Sequence, residues 1–227
     1  MQAINHAATA LILKRKFPSA PLFGLILATE AVEFLWVGLN LVGIEKTQIA
    51  DNMRSVSDVH LLHMPFSHSL VSTVIFAIAT GLIILWHHGK LASAMAIGLA
   101  LAVASHVVLD LLVHAPDIAL TPYLGSAKLG SGLYANLPLP ALILETLWGI
   151  LCWSIYRGSK KLLALIIGLG VAAIPLYSVS INIGEAALSG HSNLFATIIL
   201  VQMLLTSVLV WVYAKPSSKT PARSTPT

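Results

Sequence analysis

Charge is what this chain has least of. Asp, Glu, Lys and Arg make up 10% of its 227 residues, where soluble domains carry about a quarter. That deficit excludes an ordinary water-soluble domain and points to an integral membrane protein. The single cysteine, Cys152, lies in an apolar run and excludes an intrachain disulfide framework. No signal-peptide pattern opens the sequence, because in MQAINHAATALILKRK the charges follow the apolar run instead of preceding it. No internal repeat and no second domain is visible. The net charge of +4 is modest and gives no case for nucleic-acid binding.

What fills the chain is apolar sequence, 57% of the residues, with a mean hydropathy of +0.86. Six runs approach or exceed the ~20 residues that cross a bilayer as a helix: 20–43, 66–86, 91–113, 138–156, 161–184 and 193–214. The fold expected is all-α, a polytopic membrane helix bundle of six transmembrane helices. Residues 3–13 add an apolar stretch too short to cross alone, which suits an N-terminal half-helix packed into the bundle. Residues 1–214 form one integral membrane domain. The tail 215–227, KPSSKTPARSTPT, is polar and has no apolar face to bury, so it is expected to be disordered.

Lysine and arginine set the orientation. With Lys14, Arg15 and Lys16 in the cytoplasm, Lys90, Arg157, Lys160, Lys161, Lys215, Lys219 and Arg223 fall on the same side. Only Lys46, Arg54 and Lys128 fall opposite, a bias of ten to three. The tail is then cytoplasmic, and the loops 44–63 and 115–137 face outward.

Against this oily background the ionisable groups stand out. SHVVLDLLVHAPD carries His106, Asp110, His114 and Asp117. At 100° per residue these four fall within about 80° of one another if the helix lasts to Pro116. HMPFSHSL carries His63 and His68, and Pro65 suits the first turn of a helix that would place His68 on its opening turn. Ser67 and Ser69 flank His68 and could orient it. Glu30 and Glu33, three apart, share a face near the middle of the first long run. The topology puts all of these in the middle or outer part of the membrane.

Ionisable residues inside a membrane are rare and usually face a cavity or a partner. No Lys or Arg lies mid-span to pair with Glu30, Glu33 or Asp110. Imidazoles with carboxylates suit a divalent transition metal, zinc first, with manganese or iron as alternatives. The candidate ligands are Glu33, His63, His68, His106, Asp110 and His114, enough for one or two ions. Other polar groups read more simply. Glu145, Glu185 and His191 suit helix–helix hydrogen bonds, and His87 and His88 suit an interfacial turn. Asp117 is open between a ligand and a cap of the outer loop. A Ser/His hydrolase built on Ser69 is disfavoured, since there is no G-x-S-x-G elbow and no strand to carry one.

The order of these motifs resembles the predicted inner-membrane metal-dependent hydrolases, the YdjM-like group. That group has a short N-terminal helix with a His, an acidic motif ending the next helix, an H-x4-H-S segment and an S-H-x3-D helix. This chain offers His6 in NHAATALIL, Glu30 and Glu33 in ATEAVEF, His63 and His68 followed by Ser69, and Ser105-His106 followed by Asp110. The resemblance covers about residues 3 to 120. Where the group has a Pro-Asp pair with a second Asp two residues on, this chain has two glutamates and no proline.

The resemblance implies that His6 joins the ligands and that the chain sits in a bacterial inner membrane with its site towards the periplasm. It implies hydrolysis of a phosphoester or other ester, with Glu30 or Asp110 as general base. A site open to the outer leaflet suits a lipid-like or phosphorylated small substrate. Lys128, in a glycine-rich outer loop, could meet a phosphate. A metal-cation or proton-coupled transporter and a non-catalytic scaffold with a structural metal remain as alternatives.

Overall fold

A computed structural model describes residues 1–49, 59–178 and 191–214 of the chain. The N-terminal stretch forms α1 (Ala3–Lys16). Two helices follow, α2 (Leu22–Thr29) and α3 (Ala31–Leu41), separated by Glu30 alone. A hairpin of β1 (Lys46–Ile49) and β2 (Val59–His63) comes next. The long helices α4 (Leu70–His88) and α5 (Ser93–Leu111) are joined by a tight turn. Beyond them lie β3 (Ile118–Ala119), β4 (Lys128–Leu129) and a one-turn helix α6 (Leu133–Asn136). The chain continues with α7 (Pro138–Tyr156), α8 (Lys160–Ala172), the short α9 (Ile174–Tyr177) and α10 (Ser192–Tyr213).

The helices α4, α7, α10 and the stretch Lys90–Leu111 are long and apolar enough to cross a membrane, and α2 with α3 makes a fifth if the pair, bent by 48°, is one span. That is compatible with a membrane protein. These helices expose apolar side chains such as Ile75, Leu82, Leu147 and Val201. Of the six spans expected, 161–184 is represented by the 13-residue α8 and by α9, and its last residues lie outside the described ones. The tail 215–227 and Glu185 also lie outside them.

Local chemistry sets the element ends. Ser69 caps α4, its hydroxyl accepting from the Ser72 amide, so the helix begins at Leu70. Pro65 and His68 therefore precede the helix, where sequence spacing expected them on its first turn. The reason is that Ser69 supplies the side-chain cap at which the helix starts. Pro138 opens α7, where its missing amide costs nothing. The loop 44–63, expected as plain loop, contains the β1–β2 hairpin among its described residues.

α1 is the hub of the bundle. It packs against α2, α5, α7 and α10. Ala7, Ala8 and Ala10 are fully buried. Between apolar helices in lipid there is little hydrophobic driving force, and small residues allow the close packing that replaces it. Gly149 serves the same end on α7, since a Cβ there would lie 2.8 Å from Ile166 and 3.0 Å from the Asn5 side chain. Three positive charges, Lys14, Arg15 and Lys16, occupy the last turn of α1. They complement the negative end of its dipole.

Candidate metal centre

The break between α2 and α3 builds one wall of the site. Glu30 occupies it and is fully buried, and neither of its carboxylate oxygens has a hydrogen-bond partner among the described residues. Glu33 follows in the first turn of α3. A carboxylate is favoured there by the unpaired amides of a helix N-terminus. Because α2 ends at Thr29, its carbonyl is available to a side chain, and His106 takes it: Nδ1 lies 2.8 Å from the Thr29 oxygen. A carbonyl only accepts, so Nδ1 carries the proton. In the neutral ring the lone pair then sits on Nε2, facing the site.

α5 supplies His106 and Asp110, four residues apart and both 1% exposed. The helix ends at Leu111, earlier than the sequence pattern expected. The chain nevertheless turns once more, with the His114 amide bonded to the Asp110 carbonyl at 2.8 Å. The segment 131–134 caps this end. The Ser131, Tyr134 and Gly132 amides bond the carbonyls of Leu111, Val113 and His114 at 3.0, 2.9 and 2.7 Å. Gly130 makes the approach possible. Its φ is +151°, and a Cβ there would meet the Ala115 carbonyl oxygen at 2.1 Å.

His68 reaches the site from an extended segment ahead of α4. That segment is pinned to the outer loop, with the Ala119 amide donating to the His68 carbonyl at 3.2 Å and the Val71 amide to Leu120 at 3.1 Å. Its Nδ1 lies 3.0 Å from the Ser67 hydroxyl. Its Nε2 lies 3.2 Å from Glu33 Oε2 and 3.8 Å from Asp110 Oδ2.

The ligand atoms form two overlapping groups, each with its atoms within 4.8 Å of one another: Glu33, His68 and His106, and His6, His106 and Asp110. His106 belongs to both. Its Nε2 lies 3.5 Å from Glu33 Oε2 and 3.2 Å from Asp110 Oδ2. His6 Nε2 lies 3.3 Å from Asp110 Oδ1. Donor atoms about 2.0–2.2 Å from a tetrahedral ion stand about 3.3–3.6 Å apart, so these separations fit. The orphaned atoms fit as well. His106 Nε2 and Asp110 Oδ2 are buried and neighbouring, yet neither makes a hydrogen bond among the described residues. These buried His, Asp and Glu groups could hold a metal ion. No protein-family model matches this chain. No curated protein and no solved structure matches it either.

The remaining candidates stand at different distances from this cluster. His114 sits at the rim, its Nε2 3.8 Å from Asp110 Oδ1 and its Nδ1 3.8 Å from Asp117 Oδ1. His63 belongs to neither group. It lines a separate surface cleft of about 80 Å³ with Thr121, Ser126 and Lys128. Lys128 Nζ donates to the Asp117 carbonyl at 2.8 Å. His60, His87, His88 and His191 are exposed. Ser69 spends its hydroxyl on the α4 cap, away from any role beside His68.

Three contributors carry no sequence signal tied to the motifs. The Met1 amino group donates to Asp110 Oδ1. Glu45, 1% exposed, accepts from the Ser67 hydroxyl and so stands behind His68. Glu145 anchors the start of α1, its Oε2 accepting from the Gln2 amide at 3.0 Å and from Asn5 Nδ2 at 3.1 Å. Its Oε1 accepts from the hydroxyls of Tyr134 and Tyr177. Burial, then the Glu145 charge, pushes the Tyr134 hydroxyl well above its usual range, which keeps it a donor. Glu145 is thus a satisfied buried acid that holds α1, and with it His6, in register with α5.

Proposed function

We propose that the protein is a membrane-embedded, metal-dependent hydrolase of a phosphoester or other ester, acting on a lipid-like substrate from the outer face of a bacterial inner membrane. The observation that carries this reading is the convergence of two ligand groups on His106. The ordered resemblance to the predicted inner-membrane metal-dependent hydrolases supports it. Zinc suits the mixed imidazole and carboxylate donors best, with manganese or iron as alternatives, and two groups allow one or two ions.

His6, Glu33, His68, His106 and Asp110 would hold the metal. When bound, it supplies positive charge that polarises a phosphoryl or acyl oxygen and activates water near neutral pH. Glu30, whose buried oxygens have no hydrogen-bond partner among the described residues, takes the proton of the attacking water, with Asp110 as the other candidate base. The water oxygen bonds to phosphorus or the acyl carbon, the ester bond breaks, and the leaving oxygen takes the proton back. The cleft of His63 and Lys128 is suited to the polar head of the substrate.

A closed structural site is the rival reading. Glu33 argues against it, since its side chain is 22% exposed while those of His68, His106 and Asp110 are 5% or less. The partial exposure of Glu33 supports a site open on that side, which suits a catalytic centre. Elemental analysis of purified wild type, His106→Ala and Asp110→Ala tests the proposal. Wild type should carry stoichiometric transition metal and both variants should lose it. A metal-free wild type removes the proposal's first step.

A further inference from the structure

Behind His68 lie two buried groups, Glu45 and Ser67, that the hydrolytic reading does not use. Glu45, Ser67 and His68 are exposed by 1%, 1% and 4%. Glu45 sits just after α3 and just before β1, more than twenty positions ahead of His68 in the sequence. Its Oε1 accepts the amides of Phe66 and Ser67 at 2.8 and 2.9 Å. Its Oε2 accepts the Ser67 hydroxyl. That hydroxyl in turn meets His68 Nδ1 at 3.0 Å.

Proton counting gives these contacts a direction. Two backbone donors fix the rotation of the Glu45 carboxylate and leave Oε2 aimed at Ser67. A serine hydroxyl has one proton. With that proton given to Glu45, Ser67 can only accept from His68. His68 must then carry its proton on Nδ1, and its Nε2 lone pair faces Glu33 and Asp110. The Thr29 carbonyl imposes the same tautomer on His106 from the opposite side. Two elements distant in sequence thus prepare both imidazoles in the one state that can ligate a metal.

We infer that Glu45 and Ser67 are positioning residues that set the metal affinity of the site by fixing the tautomer of His68. This rests on the metal-centre reading above. Partners behind a ligating imidazole orient the ring and set its basicity, and their loss typically costs 10–100-fold in affinity. Glu45→Gln is the sharpest probe. The amide oxygen can keep both backbone donors, so the turn is retained. The amide nitrogen would then donate to Ser67, which turns the Ser67 proton onto His68 Nδ1. The ring is left with its proton on Nε2, where the lone pair is needed.

The test measures cobalt(II) binding to the full-length protein in detergent by visible absorption. It is paired with 15N chemical shifts of histidine-labelled protein to read the tautomer. Glu45→Gln should weaken cobalt binding about 100-fold and Ser67→Ala about 10-fold, whereas Ser67→Thr should stay within about threefold of wild type. The His68 resonances should report a proton on Nδ1 in wild type and on Nε2 in Glu45→Gln, a change that a purely structural role of Glu45 does not produce. Unchanged cobalt affinity in Glu45→Gln and Ser67→Ala, with wild type binding normally, overturns the inference alone. No cobalt binding by wild type overturns the metal centre and the inference together. Should Glu45→Gln fail to fold, Ser67→Ala against Ser67→Thr decides by the same criterion.

Discussion

His6 and His106 stack face to face, their ring centroids 3.9 Å apart and their planes within 10°. One ring comes from the first helix of the chain and the other from α5. Both Nε2 atoms face Asp110. The stack ties the position of α1 to the geometry of the candidate metal centre.

Because His106 is shared between the two ligand groups, substitutions should separate them. His6→Ala removes a member of one group and His68→Ala a member of the other. Each is expected to lower the metal content or affinity in part, by about 10-fold or more per lost ligand, while His106→Ala abolishes binding. Elemental analysis and metal titration of the three variants check this. Equal loss in all three would mean a single ion held by every ligand.

Metal loading should weaken on acidification. An imidazole ligates only when neutral, so protons and metal compete for the same lone pairs. Binding isotherms taken between about pH 8 and about pH 5 should show affinity falling as the pH is lowered. Proton release measured on metal addition gives an independent check.

Two residues remote from the ligands should matter for stability. Gly130→Ala forces a Cβ against the Ala115 carbonyl at a positive φ, and is expected to cost about 1–3 kcal/mol. Glu145→Ala strips a common acceptor from Gln2, Asn5, Tyr134 and Tyr177. Leaving several buried donors unpaired should cost more, about 3 kcal/mol or above. Thermal melting in detergent should rank Glu145→Ala below Gly130→Ala, and both below wild type.

The orientation set by the lysines and arginines can be read by labelling. In a Cys152→Ala background, a cysteine at Leu124, 86% exposed, should react with an impermeant thiol reagent added to intact cells. A cysteine at Leu91, fully exposed at the opposite turn, should react only after the membrane is opened. The reverse pattern would invert the topology and turn the site towards the cytoplasm.

Hydropathy and residue chemistry made the helical architecture and most of the cluster legible. His68, His106 and Asp110 stood out because ionisable groups in apolar runs are costly and therefore conspicuous. Other features carried no such mark. The break at Glu30 has neither proline nor glycine beside it, so α2 and α3 read as one run. His68 was expected on a helix because Pro65 resembles a helix start, yet the Ser69 cap delays that start. Glu45 sits in a polar loop where a carboxylate is unremarkable, and only the fold brings it behind His68. His63 shows the opposite limit: its spacing to His68 matches a motif, but β2 carries it to a different cleft.

The placement of α1 has a consequence for how the centre comes into being. The helix is enclosed by α2, α5, α7 and α10, and α10 is the last described element of the chain. α1 can therefore take its final seat only once α10 has come to lie beside it. Until then His6 has no fixed place beside His106 and Asp110. The ligand set is completed only when α1 is seated against α5, which makes metal retention a report on the packing of the helices around α1.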